Sequence, residues 1–100
     1  MVVKTQHIGR EVTGLMVGAA NVRRYFSKSV GAVRLHLGDL EIECKLKPDF
    51  WHGKPEICDP RLTQWLEFRT RQEQLARRPV LLAMVESGGN SYTLHSMAAQ

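Results

Sequence analysis

Long hydrophobic runs are missing from this sequence. The longest, Val80 to Val85, has the length of one buried strand and falls well short of the ~18 apolar residues that cross a bilayer. The opening MVVKTQHIGREV interrupts each apolar pair with polar residues, so no secretory core is expected there. Cysteine is scarce: Cys44 and Cys58 are the only two, which excludes the dense disulfide framework of small secreted domains. Low-complexity stretches, linkers and internal repeats are also lacking. These absences lead to the expectation of a cytoplasmic chain with two reduced thiols and no membrane association.

The composition that remains is that of an ordinary globular protein. Of 100 residues, 43% are hydrophobic and 24% charged, which fits a single domain over 1–100 with room for one core. A domain of this size hides roughly two-thirds of the surface its unfolded chain exposes, so self-association would add useful stability. The net charge of +4 is unevenly spread. Residues 1–36 carry +5, residues 37–59 carry −3, and the remainder carries +2. One face could meet a polyanion and another a basic partner.

The pattern predicts α+β architecture: a small curved, mainly antiparallel sheet or half-open barrel of about six strands with two helices. Val2 to Val17 reads as two short strands joined near Gly9 and Arg10, with Gly14 weakening the second. In AANVRRYF the spacing of Val22, Tyr25 and Phe26 gives one face of a short helix, leaving Arg23, Arg24 and Lys28 on its wet side. AVRLHL-GD-LEIECK alternates strictly about Gly38-Asp39, the signal of a two-residue hairpin. Its register should set Leu35 opposite Ile42, Val33 opposite Cys44, Arg34 opposite Glu43 and His36 opposite Glu41. PDFWHGKPEIC reads as a loop held by Phe50 and Trp51. Asp59-Pro60 then opens a helix running to about Ala76, with Leu62, Trp65 and Leu66 inward and Phe68 to one side. VLLAMVE and SYTLHSM form a closing hairpin, whose first strand is apolar on both faces and so is expected at the centre of the sheet.

No catalytic apparatus or cofactor is implied. His36 and Cys44 point to opposite faces of their hairpin, so they do not make a zinc site, and no metal is expected. Cys58, His52 and Asp59 are the nearest approach to a nucleophile, base and orienting acid. Asp59, however, suits a helix cap better. The glycines at 88–89 lie in a hairpin turn rather than between strand and helix, unlike a phosphate loop. Binding is therefore the expected role. The partner is another protein or a second copy of the chain, reached through Phe50, Trp51 and Phe68. Nucleic acid is the alternative, reached through Arg10, Arg23, Arg24, Lys28, Arg69 and Arg71.

In element order, AANVRRYFSKSVGAVRLHLGDLEIECKL resembles the early part of the plant-type and restriction-enzyme-type DNA-binding pseudobarrels. That resemblance implies DNA contacts at Arg10, Arg23, Arg24 and Lys28. FWHGKPEICDPRLTQWLE resembles small uncharacterised bacterial proteins, including ones carried on mobile gene cassettes, which implies an origin and no activity.

Overall fold

A computed structural model describes residues 1–9, 11–27, 30–69 and 79–97. Among these, the chain forms β1 (Val2–Ile8), β2 (Glu11–Met16), α1 (Ala19–Tyr25), β3 (Ala32–Leu37), β4 (Leu40–Lys45), a 3₁₀ turn (Pro48–Trp51), β5 (Glu56–Ile57), α2 (Pro60–Arg69), β6 (Leu81–Gly88) and β7 (Ser91–Ser96). The strands join into one sheet in the order β4-β3-β7-β6-β1-β2-β5, which curls into a nearly closed barrel shape. All the described pairings are antiparallel except β3 with β7. The α+β class is as expected, with seven strands in place of about six. The additional one, β5, lies within the stretch read as loop and is only two residues long.

The central hairpin has the register that alternation predicts: Val33 opposite Cys44, Arg34 opposite Glu43, Leu35 opposite Ile42 and His36 opposite Glu41. Gly38 in its turn has φ 68°, a left-handed conformation that costs glycine little. On the outer side the closest ion pair is diagonal, with Arg34 Nε 3.1 Å from Glu41 Oε2. On the inner side Val33, Leu35, Leu37, Ile42 and Cys44 are buried.

The inner faces of β1, β2, β6 and β7 complete the core. Leu62 and Leu66 of α2 cover it, and both are fully buried. Asp59 starts α2 as the composition predicts: its Oδ1 accepts the Arg61 backbone N–H at 2.8 Å. Arg61 then pairs with the Asp59 carboxylate and donates to the Glu43 carbonyl at 3.2 Å, tying the start of α2 to β4. The part of the predicted helix beyond Arg69, with Leu75 and Arg71, lies outside the described residues.

Two side-chain assignments need correction. Tyr25 is half exposed rather than on the buried face of α1. The helix stops there and Phe26 turns extended (φ −114°, ψ 139°), so Phe26 takes the inward place, stacked on Tyr92 at 5.4 Å. Phe50, expected at an interface, is 2% exposed. The 3₁₀ turn carries it into the core, edge-on to Phe26 at 5.3 Å and to Trp51 at 5.0 Å.

Candidate interaction site

β6 occupies the middle of the sheet, as its doubly apolar sequence implies. Its two faces differ in burial, however. Leu82 and Met84 point into the core, whereas Leu81 and Val85 on the other side are 51% and 49% exposed. β1 sets Val2 beside Ala83 and Lys4 beside Leu81. On the other flank, β7 sets His95 beside Ala83 and Thr93 beside Val85. Val2 and Met97 are also about half exposed. Period-two geometry puts Val2, Leu81, Ala83, Val85 and Met97 on a single outer face. Tyr25 of α1 adjoins its far end, where it lines a recess with Val85 and Glu86.

Eight large hydrophobic side chains are exposed among the described residues, and five of them (Val2, Tyr25, Leu81, Val85 and Met97) belong to this region. Ile8, Leu40 and Phe68 lie elsewhere. Single exposed apolar residues are ordinary, whereas a contiguous group marks a contact surface.

No family model, curated protein or solved structure matches this chain.

Of the three aromatics expected at an interface, Trp51 is half-buried against the core and Phe68 stands 81% exposed on α2. Neither adjoins the β1–β6–β7 face by any described pairing. The sequence did carry a signal for that face, in Leu81, Ala83 and Val85 alternating with the core positions of VLLAMVE. That alternation reads equally well as burial on both sides, and only the layering decides.

The basic groups are only partly placed. Arg23 and Arg24 are exposed in the last turn of α1, where a cation also suits the helix dipole. Arg69 lies over the Trp65 ring at 5.2 Å. Arg10, Lys28 and Arg71 lie outside the described residues.

Of the Cys58, His52 and Asp59 constellation, two members have other neighbours. Asp59 is engaged by Arg61 through a side-chain ion pair, which holds its carboxyl below the usual range. Burial and the neighbouring Glu56 push the Cys58 thiol upward, opposite to what a thiolate nucleophile requires. Among the described residues no three histidine, cysteine or acidic side chains gather closely enough to hold a metal ion. No described helix is long and apolar enough to cross a membrane.

Proposed function

We propose that this protein is a non-catalytic binding module that self-associates through the outer face of β1, β6 and β7. The observation that carries this reading is the half-exposed apolar side of the central strand, with Val2, Leu81, Ala83, Val85 and Met97 grouped across it. A second copy fits this face because a domain of this size gains stability by closing an apolar surface on itself. A two-fold axis running across β6 stacks the apolar residues of one copy on those of the other. Burial of the apolar residues between two sheets supplies the driving force.

Sedimentation velocity across a concentration series tests this. The wild-type chain is expected to dimerise. Val85→Glu, which sets a charge within the apolar patch at an exposed site, is expected to stay monomeric with unchanged circular dichroism. A wild-type monomer at every concentration would sink the reading, and a dimer that survives Val85→Glu would move the interface elsewhere.

DNA binding is the alternative, and what supports it is the adjacent exposed pair Arg23 and Arg24 on α1. In that case affinity for duplex DNA should fall steeply with salt and be lost on changing both to Ala.

A further inference from the structure

The stretch from 37 to 59 is net acidic in sequence, yet its three lysines, Lys45, Lys47 and Lys54, all line one recess of about 90 Å³. Three of the acids of that stretch are committed elsewhere: Glu41 and Glu43 lie beside Arg34, and Asp59 pairs with Arg61. Among the described residues no ion pair engages any of the three lysine ammonium groups.

The backbone around the recess is firmly held. Phe50 N–H donates to the Lys47 carbonyl at 2.9 Å, and His52 and Lys54 N–H both donate to the Asp49 carbonyl at 2.9 Å. The Pro55 carbonyl accepts from Val17 and Gly18, which docks the segment against the end of β2. Phe50 is buried beneath it. Lys47 and Lys54 sit on this held backbone and Lys45 ends β4, so binding needs little further ordering of the chain, which lowers its cost. Like charges around one concavity repel, and a dianion relieves that repulsion. Compact ammonium donors suit a phosphoryl group, which offers several acceptor oxygens on one centre.

We propose that this recess binds a phosphoryl group through Lys45, Lys47 and Lys54. The inference does not depend on self-association. Asp49 and Glu56 also line the recess and oppose the anion, so neutralising Glu56 should tighten binding.

Cys58 provides the readout, because it lines the recess and is exposed while Cys44 is buried. Alkylation of Cys58 by iodoacetamide is followed by mass spectrometry, with pyrophosphate as the probe. Pyrophosphate at ten times its dissociation constant should slow the modification about tenfold by mass action. Acetate at equal ionic strength should not. Protection should vanish in Lys47→Gln combined with Lys54→Gln, strengthen in Glu56→Gln, and persist in Arg23→Ala with Arg24→Ala. Stronger protection by a short single-stranded DNA at matched phosphate would assign the group to a nucleic-acid backbone. Protection by pyrophosphate but not DNA would assign it to a small phosphorylated ligand. If neither probe protects at millimolar concentration, or the double glutamine variant is protected as well as wild type, the proposal is overturned.

Discussion

Cys44 illustrates how placement decides the chemistry of a single residue. The hairpin register puts its thiol on the inner side of β4, 2% exposed. Burial first, and Asp59 second, push that thiol from 9.0 up to about 11. A raised thiol pKa means the folded chain holds the proton more tightly than the unfolded one. The stability this contributes is complete below pH 9.0 and is lost as pH rises toward about 11. The loss amounts to about 2–3 kcal/mol. Urea unfolding compared on either side of that window should show the decline, and Cys44→Ala should remove this part of it, although the variant starts less stable. An alkaline profile unchanged in Cys44→Ala would show that other groups govern it. Aspartates and lysines tell the same story of placement. A net-acidic segment in sequence becomes, in three dimensions, a recess lined by three lysines with Asp49 and Glu56, while Glu41, Glu43 and Asp59 pair with arginines.

Glycine and its neighbours matter most at the scale of elements. The alternating pattern makes β2 a strand in spite of Gly14, which reads in sequence as a weak point. The structure gives the reason for it. A Cβ at position 14 would lie 2.8 Å from Cys58 Sγ and 2.9 Å from the Ile57 carbonyl oxygen. Gly14 thus allows β5 to approach β2 closely, where Leu15 pairs with Ile57. Gly14→Ala should cost about 1–3 kcal/mol by forcing the seam apart, measurable by thermal unfolding. Adding Cys58→Ala should recover only part of that loss, because the Ile57 carbonyl remains. Full recovery would mean that the sulfur alone sets the spacing. Thr5 plays a comparable role at the other side of the sheet. Its buried hydroxyl accepts the Val80 N–H at 2.9 Å and lies 2.6 Å from His7 Nε2, fixing the point at which β6 enters beside β1. Nothing in VVKTQHI distinguishes this threonine from one facing water.

For the whole molecule, the decisive contacts are β1 with β6 and parallel β3 with β7. These join three local hairpins into one sheet and leave Leu81 and Val85 on the outer side of β6 half exposed. If two copies close over that face, dimerisation adds to the stability of the fold, and the midpoint of thermal unfolding must rise with protein concentration. A hundredfold increase should raise it by about 5–8 °C for a chain of this size, and Val85→Glu should flatten the dependence. A concentration-independent midpoint in the wild type would argue against coupled folding and association.

Local chemistry was legible in the sequence. The hairpin about Gly38-Asp39 and its register, the Asp59-Pro60 helix start and the central place of VLLAMVE all follow from periodicity, turn conformation and capping over short separations. The tertiary structure alone decided that Phe50 turns inward, that Tyr25 and the outer residues of β6 face solvent, and that Lys45, Lys47 and Lys54 meet. Each of these depends on what packs against an element, or on which distant strand pairs with it. A side-chain period gives two faces to every strand, but it does not say which of them will find a partner.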